Sequence, residues 1–333
     1  MNRQITLAAR PKGIPSSTDF RLVESELPDA KQGHLLIRTL FLSVDPYMRG
    51  RMRDQASYAA PVGLGDLMPG GAVGVVEQSR HPGFAAGDIV EGMFGWQAYM
   101  LSQGEGLRKV DPALAPVSTA LGVLGMTGLT AYFGMLDIAK TEAGESVYIS
   151  GAAGAVGSVA GQIGKILGCH VAGSAGSEEK VQLLKELGFD DAFNYKSEKD
   201  YAARIRSACP QGIDVYFDNV GGTMTDAVVP QMNLRGRIAV CGQISQYNLE
   251  QPETGPRWLF HTIVKRLRIE GFLVFDFAAE IPRALEQMAV WYREDRLRAE
   301  ETITDGLENA PEAFIGMLQG NNIGKQLVRV SEL

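Results

Sequence analysis

Short apolar runs alternate with amphipathic segments through the middle of the chain, and this alternation predicts a parallel sheet covered by helices. The predicted strands, in chain order, are ESVYI, HVAGSA, AFNY, IDVYFDNV, GRIAVCG and RIEGFLVF. Between them, helical spacing covers residues 155–167, SEEKVQLLKELG, DYAARIRSAC and TDAVVPQMN. We expect the last helix to kink at Pro230. The pattern predicts an α/β, doubly wound domain over residues 119–299.

The first part of the chain has a different pattern. Short β-type runs are separated by glycine and proline, namely HLLIRTLFLSV, GAVGVVEQ, GDIVEGMFG and YMLS. They predict a mostly antiparallel, barrel-like domain over residues 1–118. The final strand, within NIGKQLVRVSEL, is assigned back to it, so that residues 300–333 complete this domain.

One uncharged stretch, residues 113–136, is long enough to span a bilayer. It contains Pro116 and four glycines and lies in mid-chain. We interpret it as a buried helix and loop, and we expect no membrane partner.

Composition narrows the functional classes. Lys and Arg total 32 against 39 Asp and Glu, a net charge of −7, so we expect no nucleic-acid partner. The three cysteines form no Cys-x-x-Cys pair, which argues against a zinc ribbon or a redox dithiol. Unpaired thiols and an N-terminal segment without the apolar core of a signal peptide predict a cytoplasmic location.

A glycine-rich turn, SGAAGAVGSVAG at residues 150–161, follows the first strand of the α/β domain. The free amides and the dipole at the start of the next helix favour an anion there. Against the dinucleotide pattern G-x-G-x-x-G, the aligned residues are Ala152, Gly154 and Gly157. Gly154 would let the backbone approach a pyrophosphate, and Gly157 would let the helix pack on the strand. The alternative is a tight turn with glycine packing only.

The end of the second strand distinguishes the two nicotinamide cofactors. An NAD site usually carries an acidic residue there, whereas this chain has Ser174, with Lys180 following in GSAGSEEK. A cation without a carboxylate suits the 2′-phosphate of NADPH. The alternative for Lys180 is a solvated helix lysine.

Four motifs of the α/β region, AAGAVGSVAGQIGK, GSAGSEEK, DVYFDNVGG and VCGQISQYN, together resemble those of a known family. That family is the zinc-independent medium-chain dehydrogenase/reductases. Within it, the chain resembles the NADPH-dependent curcumin, 2-alkenal and prostaglandin reductase branch, which is leukotriene B4 12-hydroxydehydrogenase-like. SVDPYMRGRM, GVLGMTGLTAY and ITDGLENAPEAFIGMLQGNNIGK extend the resemblance across almost the whole chain.

The resemblance implies a Rossmann NADPH-binding domain at residues 119–299. It also implies a GroES-like catalytic domain formed by residues 1–118 and 300–333, with the cofactor in a cleft between the two. The pyrophosphate would contact Gly154, Ala155, Val156 and Gly157, and the 2′-phosphate would contact Lys180 and Tyr195. The rest of the cofactor would be bound by Asn219, Cys241, Gly242, Gln243, Ile244, Ser245, Tyr247, Phe272, Leu273, Val274 and Asn322.

No metal site is expected. No cysteine lies in ligand spacing with any of the four histidines, His34, His81, His170 and His261. Where a zinc-dependent relative would carry its first cysteine ligand, this chain has SVDPYM. Without a Lewis acid, reduction of a double bond conjugated to a carbonyl remains feasible. Hydride goes to the β-carbon, and a hydrogen-bond donor stabilises the charge that builds on the carbonyl oxygen.

Two tyrosines are candidate catalytic residues. Tyr247 is the first candidate because the family places a tyrosine of this motif beside the nicotinamide ribose, although its role there could be purely structural or a cofactor contact. Tyr58, from the first domain, could cap the substrate pocket. Plant double-bond reductases carry a tyrosine shortly before the strand matching RIEGF, where this chain has Val264. The proton donor therefore cannot be copied from them, and water remains an alternative.

The sequence thus predicts an NADPH-dependent reductase of small apolar enones or enals. The alternatives are an NADPH quinone oxidoreductase and a non-catalytic NADPH-binding protein. RIEGFLVF would be the last strand of the sheet, and an apolar edge strand needs cover. We therefore predict a two-fold homodimer that continues the sheet across its axis.

Overall fold

The computed structural model describes residues 1–55 and 57–333. The described residues form two compact units, Met1–Gly122 with Glu301–Leu333, and Val123–Glu300. Their strands are β1 (Asn2–Leu7), β2 (Phe20–Ser25), β3 (Leu35–Ser43), β4 (Ala72–Ser79), β5 (Ile89–Gly92), β6 (Tyr99–Ser102), β7 (Arg108–Lys109), β8 (Ser146–Ile149), β9 (His170–Ala175), β10 (Asp191–Asn194), β11 (Ile213–Asp218), β12 (Met232–Val240), β13 (Arg268–Gly271), β14 (Glu301–Asp305) and β15 (Lys325–Arg329).

The α-helices are α1 (Tyr47–Arg51), α2 (Met126–Phe133), α3 (Ala155–Ile166), α4 (Glu178–Glu186), α5 (Tyr201–Ala208), α6 (Gly222–Val228), α7 (Leu259–Lys265), α8 (Ile281–Arg293) and α9 (Ala310–Leu318). Single 3-10 turns cover Ser17–Asp19, Val117–Leu121, Val229–Gln231, Ile244–Gln246, Val274–Phe277 and Leu307–Asn309. A π-helical turn, Gly134–Ile138, extends α2.

The unit of residues 123–300 is built on a six-stranded parallel sheet in the order β10-β9-β8-β11-β12-β13. Each residue of β8 is buried, as expected for a strand covered on both faces. The chain runs outward from β8 in one direction through β9 and β10, and then returns to add β11 on the other side. Such a reversal leaves a crevice at the carboxyl ends of the two central strands. The α/β, doubly wound fold is therefore confirmed.

Helices α3 and α4 begin where the sequence predicts them. Helix α4 is capped by Ser177, whose side chain accepts a hydrogen bond from the Lys180 backbone amide at 3.3 Å. Helix α3 has no side-chain cap, and Gly154 stands at its capping position. The first amides of α3 therefore depend on another partner.

The unit of residues 1–122 and 301–333 contains a sheet in the order β14-β15-β3-β4-β5-β7, with β6 also paired to β3. Its pairs are antiparallel except β14 with β15. Trp96 is buried in the core, stacked on Phe20 with ring centroids 5.7 Å apart. A buried ion pair joins the Lys325 ammonium to the Asp45 carboxylate at 2.8 Å.

The structure corrects two of the elements predicted from the sequence. TDAVVPQMN is not a kinked helix: α6 ends at Val228, and β12 begins at Met232 after a single 3-10 turn that contains Pro230. RIEGFLVF forms a shorter strand than predicted, because β13 ends at Gly271.

Residues 113–136 form a 3-10 turn and the largely buried α2, which confirms a buried helix and loop. In the part of the chain described here, each helix is too short or too polar to cross a bilayer.

Candidate functional site

Hydrogen bonds of Ser150 join the carboxyl ends of β8 and β11. Ser150, directly after β8, donates its hydroxyl to the Asp218 carboxylate at 3.0 Å. The Asn219 backbone amide donates to the Ser150 hydroxyl at 3.0 Å, and the Asn219 side-chain amide donates to the Ser150 carbonyl at 2.8 Å. Asn219 is thus fixed at the start of the glycine-rich turn.

The loop after β12 is held against the loop after β11 through backbone contacts. The amides of Cys241 and Gly242 both donate to the carbonyl oxygen of Asp218, at 2.9 and 3.0 Å. Farther along, the Ser245 amide and hydroxyl both donate to the Val220 carbonyl, at 3.1 and 2.7 Å. Residues 241–247 therefore lie at the same edge of the sheet as Asn219.

The Asp218 side chain organises this edge. It is 1% exposed, and it accepts hydrogen bonds from Ser150 Oγ, Tyr216 Oη, Val220 N, Gly221 N and Thr225 Oγ1, at 2.6–3.0 Å. Burial first, and then the Asp218 carboxylate, raise the pKa of Tyr216 well above its usual value. Nothing in the sequence distinguished Asp218 from any other residue at a strand end.

The glycine-rich turn is packed closely at one glycine and open at the other. A Cβ on Gly157 would collide with the Gly151 carbonyl oxygen and come within 2.8 Å of the Ala152 Cα. A Cβ on Gly154 would meet only the Gly151 carbonyl oxygen, at 3.3 Å. The open position lies at the start of α3, beside the half-buried Ala155 and Val156. This arrangement fits the pyrophosphate of a dinucleotide.

A cationic cluster lies beyond the end of β9. A Cβ on Gly176 would stand 3.1 Å from Tyr195 Oη and 3.4 Å from Lys196 Cε, which places both side chains beside the backbone there. Burial, and then the nearby Lys196 ammonium, lower the pKa of Lys180. Two ammonium groups and a phenol therefore meet where a 2′-phosphate is expected. Sequence reasoning missed Lys196, whose only signal was its place next to Tyr195.

Tyr247 turns back over its own loop. Its hydroxyl accepts a hydrogen bond from the Gln243 amide at 3.1 Å, and a Cβ on Gly242 would stand 3.1 Å from the same oxygen. Burial raises the pKa of Tyr247, so the phenol keeps its proton at neutral pH. Burial and the Asp218 carboxylate raise the pKa of the Cys241 thiol to about 12, so this thiol is not an activated nucleophile.

The other predicted residues are spread over both units. Phe272 packs edge-on against Phe217, with ring centroids 6.4 Å apart, and Val274 is buried after β13. Asn322 and Tyr58 belong to the unit of residues 1–122 and 301–333. The Asn322 side chain donates to the Gly324 carbonyl at 2.8 Å, and Tyr58 is 59% exposed. Their proposed contacts with cofactor or substrate remain predictions.

The residues do not fit a zinc site. Zinc prefers converging thiolate and imidazole donors, and no group of three or more His, Cys, Asp or Glu side chains among residues 1–55 and 57–333 could hold a metal ion. Within SVDPYM, the Asp45 carboxylate is paired instead with the Lys325 ammonium and with the Ser43 hydroxyl.

Comparison with known proteins gives a consistent picture. Residues 3–110 match the family described as the N-terminal domain of oxidoreductase, and residues 155–290 match the family described as zinc-binding dehydrogenase. The NADPH-dependent curcumin reductase of Escherichia coli (strain K12) is 45% identical over 99% of this chain and 97% of its own length. Prostaglandin reductase 1 of Rattus norvegicus is 47% identical over 97% of this chain and 98% of its own. The crystal structure of CurA in complex with NADPH from Vibrio vulnificus superposes with a TM-score of 0.95 at 44% identity, covering 99% of this chain and 100% of that one.

Proposed function

Because the chain belongs to the medium-chain dehydrogenase/reductases, in the branch of NADPH-dependent curcumin, 2-alkenal and prostaglandin reductases, we propose that it reduces enones and enals. The enzyme is an NADPH-dependent oxidoreductase that acts on the C=C bond of α,β-unsaturated ketones and aldehydes. One observation supports this function best: the glycine-rich turn, Asn219 and residues 241–247 meet at one edge of the parallel sheet.

Each part of NADPH has matching residues in the unit of residues 123–300. The amides at the start of α3, at Ala155 and Val156, would bind the pyrophosphate at the open side of Gly154, and Gly157 lets α3 pack against the turn. Lys180 and Tyr195 bind the 2′-phosphate, and Lys196 adds a second cation.

The nicotinamide half would be held by Asn219 and the loop after β12. The loop contributes Cys241, Gly242, Gln243, Ile244, Ser245 and Tyr247, and its backbone is fixed by hydrogen bonds to Asp218 and Val220. Phe272, Leu273 and Val274 would continue the wall, and Asn322 is a further residue proposed to bind the cofactor. A site fixed in advance loses little entropy when the cofactor binds.

The chemistry depends on the proton of the Tyr247 phenol. When bound, NADPH supplies a hydride for the β-carbon of the substrate. Negative charge then develops on the carbonyl oxygen, and the protonated phenol of Tyr247 stabilises it by donating a hydrogen bond. Tyr58 covers the apolar substrate, and the α-carbon takes its proton from a tyrosine or from water.

The protein is a two-fold homodimer in this proposal. β13 is the last strand on its side of the sheet, so its outer backbone groups need a partner. Large apolar side chains are also exposed on α7, which precedes β13 in the chain, among them Leu259, Phe260 and Ile263, and Ile269 on β13 is partly exposed. Several exposed large apolar side chains favour an association surface.

The protein works in the cytoplasm. Cys169, Cys209 and Cys241 are free thiols in the structure, which suits a reducing compartment. This location and the dimer can be tested separately from the activity.

The first experiment follows NADPH and NADH oxidation at 340 nm with a panel of small enones and enals, with and without a zinc chelator, and identifies products by mass. We expect turnover with NADPH, indifference to the chelator and a saturated carbonyl product. Hydroquinone formed from quinones, without enone turnover, would indicate a quinone reductase. Tight NADPH binding without any turnover would contradict the enzymatic function.

A further inference from the structure

Asp218 is a buried anion without a cationic partner. Val220 N and Gly221 N can only donate hydrogen bonds, and the Ser150 hydroxyl donates to Asp218 because it accepts from the Asn219 amide. Each group that contacts the Asp218 side chain is thus placed as a donor, and the carboxylate oxygens accept. Throughout residues 1–55 and 57–333, no lysine, arginine or histidine forms an ion pair with it.

Burying such an anion costs free energy of folding. Hydrogen bonds recover part of the free energy lost on removing a charge from water, but a neutral asparagine would be cheaper to bury. The loops after β11 and β12 could be held by backbone hydrogen bonds to the Asp218 carbonyl oxygen alone, which asparagine would retain. Holding these loops therefore does not require the negative charge of Asp218, which indicates that the charge has another function.

The charge lies directly beneath the loops assigned to the nicotinamide. Cys241 and Gly242 bind the Asp218 backbone, and Asn219 follows it in the chain. The nicotinamide ring is neutral when reduced and positively charged when oxidised. On these grounds, and resting on the proposed function, we propose that the Asp218 carboxylate stabilises the oxidised, cationic cofactor relative to the reduced one, and so favours hydride donation.

The field of the Asp218 carboxylate reaches the loop after β12. The Asp218 carboxylate adds to the rise that burial causes in the pKa of the Cys241 thiol and of the Tyr247 phenol, both in the loop after β12. A field that disfavours negative charge at these two side chains favours positive charge in the same place.

The test compares binding of two cofactor forms, without turnover. Dissociation constants for NADP⁺ and NADPH are measured by titration calorimetry on the wild-type protein and on Asp218→Asn. We expect the ratio Kd(NADP⁺)/Kd(NADPH) to rise by at least about fivefold in the variant, because loss of the negative charge weakens binding of the cationic ring more than binding of the neutral one. An unchanged ratio, including an equal loss for both forms, would overturn the proposal.

Tyr216→Phe is the matched control. It removes one hydrogen bond to Asp218, the 2.7 Å contact, but keeps the charge. We expect it to lower stability and leave the ratio unchanged, and a ratio that rose equally in this variant would refute the electrostatic role. If Asp218→Asn does not fold, the same measurement is made on Asp218→Ser, because the serine hydroxyl can still accept a hydrogen bond and the smaller side chain leaves room for water. A wild-type protein that bound neither cofactor would instead refute the proposed function.

Discussion

The side-chain amide of Asn219 donates a hydrogen bond to the carbonyl oxygen of Ser150 at 2.8 Å, which ties the loop after β11 to the glycine-rich turn after β8. We predict that Asn219→Ala lowers the free energy of unfolding by about 1 kcal/mol and weakens NADPH binding roughly fivefold. Chemical denaturation and fluorescence titration with NADPH measure the two effects. Asn233→Ala removes a 2.8 Å hydrogen bond to Asp214 at the opposite end of the sheet and should affect stability only. Equal loss of NADPH affinity in both variants would contradict the assignment of Asn219.

The two glycines of the turn should respond differently to a methyl group. Gly157→Ala forces a Cβ into the backbone of Gly151 and Ala152, so we expect a loss of about 1–3 kcal/mol in stability. Gly154→Ala meets only one oxygen, at 3.3 Å, and its φ of −82° suits alanine. This variant should fold normally but bind NADPH about tenfold more weakly, because the methyl group stands between the α3 amides and the pyrophosphate. Unchanged NADPH affinity in Gly154→Ala would show that the pyrophosphate does not bind at this turn.

The lysine cluster should set cofactor choice. Lys180→Ala and Lys196→Ala should each raise KM for NADPH with little change for NADH, since only NADPH carries the 2′-phosphate. Lys185→Ala, at the exposed far end of α4, should leave both values unchanged. Steady-state kinetics measure KM for both cofactors. An equal rise in KM for NADPH and NADH would contradict the assignment of these lysines to the 2′-phosphate.

The same cluster gives a pH dependence. Burial and Lys196 lower the pKa of Lys180 from its usual value of 10.5, so Lys180 loses its positive charge at a lower pH than an ordinary lysine. The preference for NADPH over NADH should therefore decline as the pH rises, beginning below 10.5. In Lys196→Ala this decline should move to higher pH, because the repelling charge is gone. A preference that stayed constant up to the ordinary lysine range would show that Lys180 does not contribute through its charge.

Tyr247 should affect the chemical step more than binding. Tyr247→Phe removes the donor for the developing enolate, and we expect kcat to fall by about tenfold to a hundredfold while the NADPH dissociation constant stays within about twofold. Single-turnover kinetics with a small enone separate the two quantities. Tyr292→Phe, near the end of α8, is the control with an expected kcat close to the wild type. A kcat unchanged by Tyr247→Phe would point to Tyr58 or to water.

The dimer prediction rests on the edge strand β13 and on the exposed apolar side chains of α7. Phe260→Asp with Ile263→Asp places two charges on the exposed apolar face of α7, and we expect the double variant to be monomeric in light scattering at micromolar concentration. Leu22→Asp, a comparable change on β2, should remain dimeric. A wild-type protein that is itself monomeric at that concentration would rule out the dimer.

Much of the α/β unit could be predicted because its strands and helices carry local signals. Ser177 before Glu178 and Glu179 is a capping pattern, and the apolar IDVYFD can only be a buried strand. The predicted kink at Pro230 was wrong for a tertiary reason. Asp214 and Asn233 are linked at the start of β11 and β12, and pairing with β11 extends β12 back to Met232, directly after the proline turn.

The candidate site was only partly predictable. Gly154, Gly157 and Lys180 lie in motifs whose spacing implies a use. No spacing rule points to Lys196 or Asp218. Most donors to the Asp218 carboxylate come from residues 216–225, but the Ser150 hydroxyl lies 68 residues earlier in the chain, and local sequence does not reveal that contact.

The position of β15 determines when the first unit can be completed during synthesis. β15 lies between β14 and β3, and not at a sheet edge, although it is encoded about 280 residues after Asp45, to which its Lys325 is bonded. The unit of residues 123–300 is continuous, so the ribosome releases all of it before β14 and β15 emerge. Until then β3 has an open edge and the Asp45 carboxylate has no ammonium partner. The sheet of the first unit therefore cannot be completed until the whole unit of residues 123–300 has been synthesised.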